Sequence, residues 1–170
     1  VRKVQKIAVE ESRLGIPLII GYDMIHGFQT MSPIPLAEAS SWDMEAIRRS
    51  SEIGAREAAA AGINWTFAPM VDIGRDARWG RVMEGAGEDP YLGGQIAIAR
   101  VKGYQGEDLS DPLTLAACVK HFAGYGFSES GRDYNSVDVG TSTLYNIILP
   151  PFKAALDAGA RTFMNAFNDL

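Results

Sequence analysis

Four short apolar runs, each ending in polar residues, constrain this chain more than any other feature. They are Pro17 to Asp23, Asn64 to Val71, Leu115 to Phe122 and Arg161 to Phe167. Near-continuous apolar strands of this kind suit a parallel sheet covered on both faces. Helical patterns separate them: residues 2–13, 43–61, 88–104, and a last one from Thr141–Ser142 to Ala158, interrupted by Pro150-Pro151. The order α-β-α-β-α-β-α-β predicts an α/β fold with right-handed crossovers. A closed (β/α)₈ barrel needs eight strands and roughly 250 residues. Four strands in a chain of 170 residues therefore read either as an open doubly wound sheet or as part of a barrel, in one domain over residues 1–170.

The helix ends are written in the sequence. Ser41 or Asp43 is an N-cap candidate for 43–61 and Gly62 stands just past its end. On its buried side Met44, Ile47, Ser51, Gly54, Ala55 and Ala58 recur at three- and four-residue intervals, small enough for close packing. Residues 88–104 repeat the pattern with Leu92, Ile96, Ala99 and Gly103, and residues 2–13 place Val4, Ile7 and Ala8 on one face. Pro151 fits a first helical turn and Gly159 a terminator.

Composition excludes several function classes. A net charge of −5 without any Lys/Arg-rich run argues against a nucleic-acid surface. No apolar span approaches membrane length, and Val1 to Lys6 leads into Glu10-Glu11 rather than into the apolar core of a signal peptide. A single cysteine, Cys118, allows neither an intrachain disulfide nor a multi-thiolate metal site, and reads as a buried strand residue. Phosphate loops, zinc motifs, serine elbows and nucleotide fingerprints are all missing, so no cofactor is implied.

The polar residues with chemical potential follow the strand ends, where α/β barrels place their active sites. Asp23 closes the first run, where a carboxylate can accept two hydroxyl hydrogen bonds, with His26 three residues on. The loop after Pro69 holds Arg75, Asp76, Arg78, Trp79 and Arg81, followed by Glu84, Glu88 and Asp89. Most of these charges are expected to pair with one another; one arginine reaching a ligand is the sharper reading. Trp79 can either stack on a sugar face or pack the loop. Lys120 and His121 are adjacent at the end of the third run. Neighbouring side chains of a regular strand point apart, so both reach one pocket only through a bulge or a cis bond. Ser130 to Asn135, with Arg132 and Asp133, makes a further polar loop, and Asp138 reads as a helix-start carboxylate.

At these loops the chain resembles glycoside hydrolase family 3, and within it the bacterial periplasmic β-glucosidases. The matching stretches are Ile16 to Asp23 with His26-Gly27, Pro33 to Leu36, Phe67-Ala68-Pro69 with Asp72, and Arg75-Asp76 through Trp79-Gly80-Arg81. They continue with Glu88 to Leu92, Lys120-His121-Phe122, Gly131-Arg132-Asp133 and Leu149 to Phe152. The resemblance implies part of a (β/α)₈-type N-terminal domain whose pocket holds one non-reducing sugar unit. By motif, Asp23, Arg81, Lys120 and His121 would bond the sugar hydroxyls, and Phe167 would line the pocket. His26, Arg75, Asp76, Trp79, Arg132 and Asp133 would support them. The family's Lys-His pair is known for an unusual peptide bond that aims both side chains inward. The resemblance further implies an exo-acting, retaining β-glycosidase, periplasmic or secreted, acting on a β-glucoside or related oligosaccharide beside a second domain of its parent. It places the nucleophilic Asp and the acid/base Glu outside these 170 residues, and no metal.

Departures from the family pattern are Ala77 for a usual proline, Gly140-Thr141-Ser142 in place of a Ser-Glu-Arg-type helix start, and Asn165 for a small residue. Tyr125 stands where the N-acetylglucosaminidase branch has a histidine acid/base. Two other readings follow from the residues. Without the nucleophile segment the chain is an inactive fragment or a weak sugar-binding module. Alternatively, Lys120 is the Schiff-base lysine of an aldolase-like enzyme.

Overall fold

The computed structural model describes all 170 residues. The strands are β1 (Gly21–Tyr22), β2 (Trp65–Thr66), β3 (Ala116–Phe122) and β4 (Thr162–Asn165). The helices are α1 (Arg2–Lys6), α2 (Pro35–Ala39), α3 (Met44–Ala60), α4 (Pro90–Gln105), α5 (Thr141–Thr143) and α6 (Leu149–Asp157). All strand pairs are parallel, and the sheet order is β1-β2-β3-β4. A doubly wound sheet reverses direction at a switch point; this one grows one way only. With crossovers of a single hand, such growth keeps the helices on one face. The fold is α/β, an arc of a (β/α)₈-type barrel. Cover on both faces, expected from the apolar runs, is not found: Ile19, Tyr22 and Phe122 are 76%, 51% and 48% exposed.

Helix α4 is the centre of the packed layer. Asp89 caps it by accepting from the Leu92 amide at 2.7 Å, and Pro90 opens its first turn. Its Gly103 lies against α3, where a Cβ would stand 2.4 Å from the Arg48 carbonyl oxygen and 2.6 Å from Ser51 Cβ. Its Gly94 lies against Ala154 of α6. Ala97, Val101 and Tyr104 join Ala55 and Ala58 of α3, Ala117 and Val119 of β3, and Phe152 and Ala155 of α6 in the main core. The cap of α3 is Asp43, which accepts from the Ala46 amide. Past its end, Gly62 takes a φ of +92°.

Three expectations need correction. The strands are shorter than their apolar runs. At β1, side-chain amides replace a neighbouring strand: Gln5 bonds both the N–H and the C=O of Leu18, and Asn64 accepts from Ile20. In the second run Pro69 has no N–H to give the ladder, although Val71 still bonds the Lys120 carbonyl at 2.9 Å. Residues 2–13 do not present Val4 and Ile7 to the core, for these are 50% and 53% exposed. From Ile7 to Glu11 the backbone is π-helical, which shifts the side-chain period away from 3.6. Finally, Pro150-Pro151 do not interrupt the last helix. A π turn over Leu144–Ile148 precedes them, and they fall in the first turn of α6, where the fixed φ of proline is already helical.

Replacing Gly103 by Ala tests the α3–α4 contact. Helix propensity alone would gain about 1 kcal/mol. The clash is with a backbone carbonyl, which cannot move aside cheaply, and overpacking costs about 1–3 kcal/mol. Gly103→Ala is therefore expected to lower stability in urea unfolding; an unchanged or raised midpoint would discard this account of the contact.

Candidate active site

Strand β3 alternates between two chemistries. Ala117 and Val119 face the helices, while Lys120 belongs to the other side of the sheet. Its side chain is only 2% exposed, yet it carries an ammonium group. The charge is matched by Asp23, at the end of the β1 run. Lys120 Nζ donates to both carboxylate oxygens, at 3.0 and 3.2 Å. Asp23 is itself 56% exposed, so a buried cation supports a carboxylate that is open to a ligand.

His121 follows immediately. The Lys120–His121 peptide is cis, as are Ala68–Pro69 and Phe122–Ala123. The ladder to β4 is irregular at this point: Lys120 pairs with Met164 and Phe122 with Asn165, leaving His121 without a register partner. Its amide instead donates to Asp72 Oδ2 at 2.9 Å, and its ring Nδ1 lies 2.9 Å from the same oxygen. Both side chains are buried. The edge of Tyr125 meets the His121 ring, with centroids 5.2 Å apart at 86°.

Arg81 forms a two-pronged pair with Glu84 at 2.7 and 2.8 Å, and its guanidinium stands 5.6 Å from the Tyr125 ring centre. Burial alone would raise the Glu84 carboxyl. The hydrogen bond and charge of Arg81, with the charge of Lys120, hold it below its ordinary range. Tyr125 is fully buried, and its hydroxyl, beside Asp133 and Arg81, makes no hydrogen bond of normal geometry. Burial and the Asp133 carboxylate push its phenol up to about 12. Trp79 is 1% exposed, packs on Tyr125 and donates to Asp133 at 3.2 Å, so it offers no face to a ligand. Phe167 is 63% exposed and brings its ring to Tyr125, Tyr134 and the neighbourhood of His121.

The remaining candidates sit around this group. Arg78, an exposed residue, is absorbed by Asp76, whose carboxyl falls to about 2 because Arg78 bonds it through both side chain and backbone. Arg75 lies over Phe127. Gly126 passes so near the Arg75 loop that a Cβ would sit 2.2 Å from the Ile73 carbonyl oxygen. Arg132 is exposed. His26 Nδ1 is 3.0 Å from the Ser32 carbonyl, within its own loop. Asp138 is no helix cap: α5 starts after Gly140 with no side-chain cap, and Asp138 lines a polar hollow with Arg75.

Helix α4 holds the chain just beyond Asp23. Tyr104 donates its hydroxyl to the Met24 carbonyl and Arg100 donates to that of Ile25. Arg100, itself buried, is neutralised by Glu38 at 2.5 Å. An apolar groove of about 640 Å³ lies elsewhere, between β4 and α6, and neither Asp23, Lys120 nor His121 lines it.

Three residues of this neighbourhood were read from sequence but not placed in the site: Asp72 as part of a motif, Glu84 as an acid expected to pair, and Tyr134 within the Ser130 to Asn135 loop. Glu84 had a readable signal, an acid three residues after Arg81 in a helical turn. Asp72 had only its place at a strand end, because its partner is 49 residues away.

A one-way βα arc with charged groups at the strand ends defines part of a barrel-type enzyme domain. The chain belongs to glycoside hydrolase family 3: the family's description "Glycosyl hydrolase family 3 N terminal domain" matches residues 1–170. It is 46% identical over its whole length to the periplasmic beta-glucosidase of Salmonella typhimurium, of which it covers 22%. It is 35% identical, over 95% of its length, to a beta-xylosidase of Formosa agariphila, covering 24% of that protein. Among solved structures, the beta-glucosidase from Listeria innocua in complex with glucose superposes with a TM-score of 0.94 at 47% identity, over 98% of this chain and 23% of that one. A mutant of that enzyme in complex with laminaribiose gives 0.95 at 48%, with the same coverage. The chain thus spans less than a quarter of these relatives.

The Arg81–Glu84 pair has a pH signature. A carboxyl lowered by folding adds stability that is full above its ordinary value of 4.5 and is lost as pH falls through the lowered one. Glu84→Gln should remove that component, so that stability measured by urea unfolding from neutral pH down to below 4.5 declines less steeply than in the wild type. Parallel declines would rule out the pair as the source.

Proposed function

We propose that this segment supplies the sugar-binding part of the active site of an exo-acting, retaining β-glycosidase whose substrates are β-glucosides. The observation that carries the reading is the meeting of Asp23, Lys120 and His121, from two different strands, in one cluster with Arg81 and Phe167 beside it. A pyranoside needs that mixture. Its hydroxyls donate to a carboxylate and accept from an ammonium or guanidinium, and its C–H face rests on an aromatic ring. Asp76, Arg75, Trp79, His26 and Asp133 hold the surrounding loops, and the exposed Arg132 is assigned a supporting role beside them. The glucose and laminaribiose complexes of the Listeria innocua relative support a glucosyl ligand.

Retention requires a nucleophilic carboxylate and an acid/base carboxyl about 5–5.5 Å apart. Both are assigned to sequence outside these 170 residues, which form one incomplete (β/α) barrel domain working with a second domain of the parent. The relatives' greater length supports that division. A periplasmic or secreted location rests on the name of the Salmonella relative. An aldolase-type role for Lys120 is less suitable, because a Schiff-base lysine attacks as the free amine and this one is built into an ion pair.

In the full-length protein, Asp23→Ala should lower kcat/KM for an aryl β-glucoside roughly a hundredfold. Hydrogen bonds to a charged group contribute about 1.5–3 kcal/mol each, and bonds to sugar hydroxyls tighten in the transition state. The sugar first released should keep the β configuration by NMR. A rate near that of the wild type would remove Asp23 from the site, and an inverted product would refute retention.

A further inference from the structure

We propose that Asp72 is a positioning residue: it holds the His121 ring with Nδ1 protonated, so that the bare Nε2 is left to accept a hydrogen bond in the pocket. The inference rests on the sugar-site reading above. Asp72 is 3% exposed, and its Oδ2 receives both the backbone N–H and the ring Nδ1 of His121, each at 2.9 Å. A carboxylate only accepts, so the ring nitrogen facing it carries the proton. In a neutral imidazole the other nitrogen is then an acceptor. The Asp72 Oδ1 atom is buried without any partner. Every hydrogen bond this carboxylate makes within the chain therefore goes to one residue, His121.

The ring has a second restraint. Tyr125 meets it edge-on at 5.2 Å, so its plane is set by packing while its flip state is set by Asp72. The result complements the neighbours. Lys120 can only donate, and the Asp23 carboxylate can only accept. A bare Nε2 lets the pocket take the proton of one more hydroxyl, which the Nε2–H tautomer could not do.

A rival role for Asp72 is purely structural: capping the His121 amide where the β3–β4 ladder skips that residue. The ring itself separates the two. In the full-length protein labelled with ¹⁵N-histidine, the His121 ring signals, identified by their loss in His121→Ala, should show a protonated Nδ1 and a bare Nε2. The spectra are taken at a pH where the ring holds one proton. Asp72→Ala should move proton population to Nε2. It should also lower kcat/KM for an aryl β-glucoside by roughly ten- to a hundredfold, the size of the loss when the carboxylate orienting a metal-bound histidine is removed, and should cost nothing further in a His121→Ala background. Ring signals unchanged in Asp72→Ala, or penalties that multiply in the double variant, would overturn the proposal. A ring that changes tautomer while His121→Ala keeps the wild-type kcat/KM would uphold the positioning and defeat the sugar-site reading instead. If Asp72→Ala does not fold, Asp72→Ser, whose hydroxyl is too short to hold the ring, is read in the same way.

Discussion

An ammonium group buried in a sheet must have an anion beside it, and much of this structure follows from that requirement. Lys120 sits on β3 and its counter-charge on the segment after β1, two strands away. Removing either partner of a buried pair leaves the other charge uncompensated, which is costlier than losing the bond itself. The pair therefore ties the end of β1 to β3 across β2. The helix layer reinforces the tie, since Tyr104 and Arg100 of α4 hold the two carbonyls that follow Asp23. The position of this exposed carboxylate is thus set from both faces of the sheet.

A second buried pair repeats the logic one residue further on. Asp72 leaves the β2 run and reaches His121 on β3, replacing the ladder bond that the irregular register omits. The β1 and β2 runs thus each deliver an acid to a basic residue on β3. Arg81, by contrast, takes its acid from its own turn, Glu84, and leans on Tyr125, which also touches His121. Tyr125 is the hub of this aromatic and charged layer: it is fully buried and contacts Trp79, Tyr134 and Phe167 as well.

Close approach of elements makes the layer possible. Gly103 allows α4 to lie on the α3 backbone, and Gly126 allows the loop after β3 to lie on the loop after β2. In both places a Cβ would collide with a carbonyl oxygen rather than with a movable side chain. Small residues at these two points let charged loops from separate strands pack as one surface.

The alternation of apolar runs and helical periods was enough to establish a parallel α/β chain, and the caps Asp43 and Asp89 could be read directly, because period and capping are local properties. The clusters at Asp23, Arg81 and Lys120-His121 were equally legible, since each is contiguous in sequence. Whether the sheet was doubly wound or an arc was not legible: strand order depends on which edge each crossover joins, and no local pattern encodes it. Nor could the sequence show that Val4 and Ile7 stay exposed, for periodicity describes a face and not what receives it. Only the tertiary structure matched Asp72 to His121 and Asp23 to Lys120, because those partners lie 49 and 97 residues apart and meet solely through the register of parallel strands.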